Sequence, residues 1–168
     1  MALKLAAALL VVVAAVGLGR LASRPFRMRV LTLEAFQRLA RRLDPFIVIK
    51  QMPLASALPE ASRGLGLIAP AVTQLVGNLG HPDADVGELW SAMLERVPGL
   101  WDEDRALLRD FGRVLGRTDA LAQRSELQAV QAELSRLIEE ARRKEAQDGR
   151  LYPALVGALG VMVVILML

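Results

Sequence analysis

The sequence predicts an all-α protein, a helical-bundle domain flanked by an N-terminal and a C-terminal transmembrane helix. Three observations carry that prediction. Hydrophobic residues make up 54% of the 168, above what a soluble domain of this size usually carries. The surplus lies at the two ends: residues 1–19 hold one charge, Lys4, and residues 151–168 hold no charged side chain, each run close to the ~20 apolar residues that a spanning helix needs. Between them, apolar residues recur at steps of three and four, interrupted by proline and glycine, which is helical periodicity.

Each terminal run has an alternative. A buried core helix would carry a polar face, and neither run has one. A cleaved signal peptide places basic residues before its apolar stretch and small residues at the cut. Here only Lys4 precedes the run, whereas Arg20, Arg24, Arg27 and Arg29 follow it, so a retained anchor is expected. Basic residues near a span stay on the cytoplasmic side. Arg142, Arg143, Lys144 and Arg150 repeat the signal before the second run. Residues 20–150 are therefore expected in the cytoplasm and both termini outside.

The formal charge of +3 and pI near 9.9 do not point to nucleic acid. Residues 30–141 hold 12 basic and 16 acidic side chains, net −4. The basic excess sits at the membrane-proximal ends, where it suits lipid headgroups, and few aromatics are available to stack on bases. With no cysteine, disulfides and thiolate metal sites are excluded.

Taken in order, Arg24-Pro25 is expected to break the first helix. Residues 30–43 then read as an amphipathic helix, with Leu31, Ala35, Leu39 and Leu43 opposite Arg38, Arg41 and Arg42. Asp44-Pro45 interrupts it, and 46–50 continues as a kinked helix or a short extended piece; no second strand candidate exists to pair with it. Pro53 and Pro59 bound a short helix, 54–58. Gly64 and Gly66 form a linker, and Pro70 opens a helix through Leu79 with Val72, Leu75, Val76 and Leu79 on one side. Asp85 and Glu88 have capping-box spacing ahead of 86–97, which Pro98-Gly99 stops. Asp102, Glu103 and Asp104 suit a solvated first turn facing the positive end of a helix dipole.

That helix runs into 107–123, where Gly116 is placed to end it in a left-handed residue and Thr118 with Asp119 can cap the next. From 119 to 147 there is no glycine or proline, and Leu127, Val130, Leu134, Leu137 and Ala141 keep coiled-coil spacing. Glu139 to Arg143 and Glu140 to Lys144 are i, i+4 pairs. A rod of this kind entering the second apolar run would couple the domain to its anchor.

Chemistry is sparse. His81 is the single histidine, so a multi-histidine metal site within one chain is excluded; with Asp83 and Asp85 it reads as a polar loop before a helix cap. Gly64 and Gly66 lack the Gly-Lys-Ser/Thr ending of a phosphate loop. Trp90 and Trp101 suit a core or a membrane interface. No catalytic residue, cofactor or metal is expected.

The pattern Phe111-Gly112-x-x-Leu115-Gly116-x-Thr118-Asp119-x-x-x-Gln123 resembles the signature of the stage III sporulation protein AB family. Pro53-Leu54, Ala57-Leu58 and Trp90 add weaker matches, as do the two apolar ends. Where the family tends to show Leu-Glu-x-Glu-Ile-x-Tyr, this chain has Leu43, Asp44, Pro45, Phe46, Ile47, Val48 and Ile49, which puts in doubt polar contacts made through Phe46 and Ile49. The resemblance implies a non-enzymatic platform or scaffold subunit of the channel complex between mother cell and forespore, in the mother-cell membrane around the forespore. It implies a cytoplasmic domain similar to the platform proteins of type II secretion and type IV pilus machines. The implied partners are the other stage III sporulation complex proteins, including the cytoplasmic AA ATPase, together with membrane lipids; a homo-oligomer is left open. The alternative on the residues alone is a membrane-anchored helical adaptor or coiled-coil partner unrelated to sporulation, resting on 119–147.

Overall fold

Successive helices pack around the C-terminal half of the first. A computed structural model describes residues 2–81, 84–115 and 120–167, without the side chains of most of 2–22 and 148–167 or of 48, 114 and 120–124. Among the described residues there is no strand. The elements are α1 (Ala2–Asp44), a π-helical turn (Pro45–Ile49), α2 (Leu54–Ser62), α3 (Ala69–Asn78), α4 (Val86–Arg96), α5 (Asp102–Leu115) and α6 (Ala120–Met167). The expected all-helical bundle is therefore what the chain forms.

The chain divides into two compact units, Arg29–Glu139 and the pair of ends Met1–Met28 with Glu140–Leu168. The ends are helical, and Glu140 pairs with Lys144 at 3.7 Å. No helix is long and apolar enough to cross a membrane among the described residues. Most side chains of the two apolar runs lie outside that description, so the flanking spans stay a reading of the sequence.

Within Arg29–Glu139, α1 is the hub. Phe36, Leu39, Ala40 and Leu43 are fully buried. Thr32 Oγ1 donates to the Pro98 carbonyl at 3.0 Å, Arg42 donates to the Ala61 and Arg63 carbonyls, and Gln37 Nε2 donates to Ser135 Oγ at 2.8 Å. These contacts tie α1 to the α4–α5 turn, to α2 and to α6. From α6, Leu127, Val130, Leu134, Leu137 and Ala141 are all buried, as the three-and-four spacing requires. Burying each large apolar side chain is worth about 1.5–3 kcal/mol, so such rows outweigh any single polar contact.

Several expectations need correction. Pro25 lies inside α1 and Pro59 inside α2, so neither ends its helix. Each proline removes a donor from the carbonyl four residues earlier, at Leu21 and Ala55, both exposed residues. Leu31 faces outward at 38% exposure while Leu33 and Phe36 take core positions. A strict i, i+4 row drifts by about 40° per step around a helix of 3.6 residues per turn, so 31 and 43 cannot share one face. At 46–50 the kinked-helix alternative holds, as a π-turn closed by Lys50 N–H on the Pro45 carbonyl at 3.1 Å. Gly116, Thr118 and Asp119 lie outside the described residues, so the stop and restart expected there lies outside them too.

The caps follow the sequence. Asp85 accepts from Glu88 N–H at 2.9 Å, starting α4. Gly64 follows the last residues of α2 with φ +77°, the left-handed conformation in which L side chains are strained. An added Cβ meets nothing within 4 Å at Gly64 or at Gly66, and only Gly64 has positive φ. Gly64→Ala is expected to cost about 1 kcal/mol, whereas Gly66→Ala is expected to be neutral or slightly stabilising; urea unfolding of the purified chain, followed by its helical circular dichroism, checks the contrast.

Candidate functional site

The signature residues meet the rest of the domain at one place, the crossing of α1, α4 and α5. Trp90 is fully buried there. Its ring stands edge-on to Phe111 at 5.4 Å and to Phe36 at 6.2 Å, spacings at which aromatic pairs attract. Its Nε1–H donates to the Leu108 carbonyl at 2.7 Å, so the indole is both packed and satisfied.

Gly112 makes this possible. A Cβ at 112 would lie 2.5 Å from Trp90 Cγ and closer still to Cδ1, well inside contact distance, and the atoms it meets belong to a ring locked between two others. Phe111-Gly112 is thus a stacking partner followed by a vacant position for the same indole. Leu115, one turn on, is buried at 5% exposure. Gln123 lies in α6, with its side chain outside the described residues. The structure so brings Phe111, Gly112 and Leu115 to one helix face and adds Trp90 to them.

A second polar constellation escaped the sequence reading. Asp104, expected in a solvated turn, is completely buried, and Arg29 is 1% exposed. Arg29 grips it with both arms of the guanidinium, Nε to Oδ2 at 2.8 Å and Nη2 to Oδ1 at 2.6 Å. The guanidinium also lies over the Trp101 ring, 4.1 Å from its centroid. Asp104 accepts in addition from Trp101 N–H at 2.9 Å, the N3-to-N-cap half of a capping box. Glu103, half-exposed, stands 3.8 Å from Arg29 and 3.3 Å from Arg136. Asp102 and Glu103 keep the expected exposure; Asp104 does not.

A signal for this pair was present in the spacing: Arg29, Leu33, Phe36, Ala40 and Leu43 form one helical row, and an arginine in a core row demands a buried anion. Which of 18 acidic residues answers it was not readable, because 75 positions separate the partners.

Other polar groups pair locally. Arg109 with Glu95 and Arg113 with Asp110 are exposed ion pairs, of the kind worth at most about 1 kcal/mol. Glu133 is hydrogen-bonded by Arg136, whose guanidinium holds its carboxyl below the usual carboxylate range. His81 is exposed in the loop before α4, its carbonyl accepting from Ala84 N–H; Asp83 lies outside the described residues. A groove between α3 and α4, floored by Leu75 and Met93, encloses about 40 Å³, room for about one water. Among the described residues no cluster of histidine, cysteine or carboxylate side chains has metal-binding geometry. The one deeply buried carboxylate, Asp104, already accepts from three donors, so its oxygens serve packing and capping.

Two substitutions test these assignments. Asp104→Asn leaves Arg29 buried without its counter-charge and is expected to cost about 3–5 kcal/mol; a double change of Arg29→Met with Asp104→Leu is expected to cost much less, measured in the same unfolding assay. Gly112→Ala is expected to cost about 1–3 kcal/mol through overpacking, and combining it with Trp90→Leu should cost less than the sum of the two single changes, a coupling that a double-mutant cycle reads directly.

The family model described as stage III sporulation protein AB matches residues 4–168. No curated protein and no solved structure matches. With essentially the whole chain matched, this protein belongs to the stage III sporulation protein AB family.

Proposed function

We propose that this chain is a non-enzymatic membrane platform subunit of the channel complex that joins mother cell and forespore. On this reading its two apolar ends, 1–19 and 151–168, are transmembrane helices in the mother-cell membrane around the forespore. The central residues, 20–150, are cytoplasmic and present a helical bundle to the other stage III sporulation proteins, above all the AA ATPase. Family membership over 4–168 carries the reading.

Three further features support it. The described residues form a bundle whose largest buried side chains serve packing. The buried Arg29 and Asp104 pair with each other, and the buried Thr32 hydroxyl donates to the Pro98 carbonyl. Arginine and lysine flank both apolar runs on the side assigned to the cytoplasm. A scaffold needs a rigid interior and a surface free to engage partners, and the arrangement supplies both.

The test is co-purification from sporulating cells. The chain is expected to bring down the AA ATPase and to localise around the forespore during engulfment. Failure to associate with any channel component would overturn the reading. His81→Ala is expected to leave sporulation intact, and a reporter at the C-terminus is expected to be inactive on the cytoplasmic side.

A further inference from the structure

One face of α1 is exposed and carries arginines that make no ion pair among the described residues. Leu31, Arg38, Arg41, Arg42, Pro45 and Ile49 are all exposed and, at steps of seven, three, one, three and four, fall within about 100° on one side of the helix, a strip that also holds the half-buried Glu34. Its 18 steps at 1.5 Å each span about 27 Å. Two of the four large hydrophobic residues that stand exposed among the described ones sit at its ends, Leu31 at 38% and Ile49 at 78%. Arginines occupy its middle. Arg38 and Arg41 make no ion pair among the described residues, and Arg42 is bound only by neutral carbonyls.

The setting makes this strip distinctive. Residues 30–141 are net acidic, and the arginines of α5 pair with local carboxylates, while Arg96 of α4 is bound by the Gln74 amide. On α1 two exposed arginines, Arg38 and Arg41, stand on one side without a carboxylate partner among the described residues. The strip ends in the π-turn, where a wider helical turn lifts Ile49 out of the core row while Lys50 covers Phe46, 4.9 Å from its ring centroid. Such turns are frequent at functional sites.

We infer that the α1 strip from Leu31 to Ile49 is a docking surface for an acidic helix of a partner protein, which sets carboxylates against Arg38 and Arg41 and apolar side chains against Leu31 and Ile49. A helix matches its one-helix width and length, and opposite charge supplies steering and register. A lipid surface fits less well, because it takes apolar residues grouped to insert together, whereas here they stand at opposite ends with charge between.

The inference rests on the proposed function for its probe, the AA ATPase. Binding of that ATPase to the full chain in nanodiscs of zwitterionic lipid is measured for wild type, for Arg38→Glu with Arg41→Glu, for Ile49→Ser, and for Arg113→Glu as a charge reversal on another face. The wild type is expected to bind, the double reversal to weaken binding at least about tenfold and Ile49→Ser several-fold, and Arg113→Glu to leave it unchanged. Equal binding by wild type and strip variants overturns the docking surface while leaving the proposed function standing; no binding by the wild type overturns both. If the strip variants lose binding only in nanodiscs of anionic lipid, the strip reads headgroups and the inference fails. Unchanged helical circular dichroism of the variants excludes misfolding as the cause of a loss.

Discussion

The indole of Trp90 occupies the volume in which a side chain at position 112 would stand, and the crossing of α1, α4 and α5 depends on that exchange. A glycine inside α5 gives up helix propensity worth about 1 kcal/mol against alanine. In return, the fully buried tryptophan packs between Phe36 and Phe111. Its N–H adds a second donor to the Leu108 carbonyl, which in an α-helix already receives the N–H four residues on. The interhelix distance, the ring stacking and the polar tip of the indole are thus one constraint met at one residue. This is why Phe111 and Gly112 occur together: the first is the wall and the second is the gap.

The Arg29–Asp104 pair fixes a different quantity. Burying two charges is expensive enough that an apolar pair of the same volume would often be as stable, so the pair is poor evidence for stability gained. Its geometry is specific, however. A two-armed guanidinium grip admits one relative orientation, and the same carboxylate caps α5 through Trp101 N–H. The start of α5 is therefore locked to one point on α1. Apolar rows can slide by a turn with little change in buried area; a forked ion pair joined to a cap cannot. One cost remains visible, since Arg29 Nη1 is buried without a protein partner.

What was legible in the sequence was whatever depends on neighbours along the chain. The Asp85 cap, the Gly64 linker and the buried row of α6 follow from spacing alone, and all are found. The helix at 30–43 was legible, and Ala35, Leu39 and Leu43 do face inward; Leu31 does not, because four-residue steps drift and packing on both sides decides which row wins. Prolines 25 and 59 were overread: each lies inside its helix, one turn after a residue on the exposed side. The Trp90–Gly112 fit and the Arg29–Asp104 pair are contacts across 22 and 75 positions, and local pattern says nothing about which residues meet at such separations. The signature could mark Phe111, Gly112 and Leu115 as a unit without saying that an indole was the reason.

The segment that closes α1 shows how far the effect of a proline is absorbed by its own surroundings. Asp44-Pro45 removes the donor that would close the helix on the Arg41 carbonyl, and the chain answers with a wider turn whose closing bonds run from Lys50 to Pro45 and from Met52 to Phe46. Gln51, at φ +49°, takes up the remaining change of direction at a conformational cost of about 1–2 kcal/mol. Phe46 is half-buried and covered by the Lys50 ammonium, so it is accommodated within the chain. Ile49 is not: at 78% exposure it keeps most of its apolar surface in water. The two sit three residues apart, yet the π-turn sends one inward and the other outward. The fold accounts for Phe46 by itself and leaves Ile49 as apolar surface that only another molecule would remove from water.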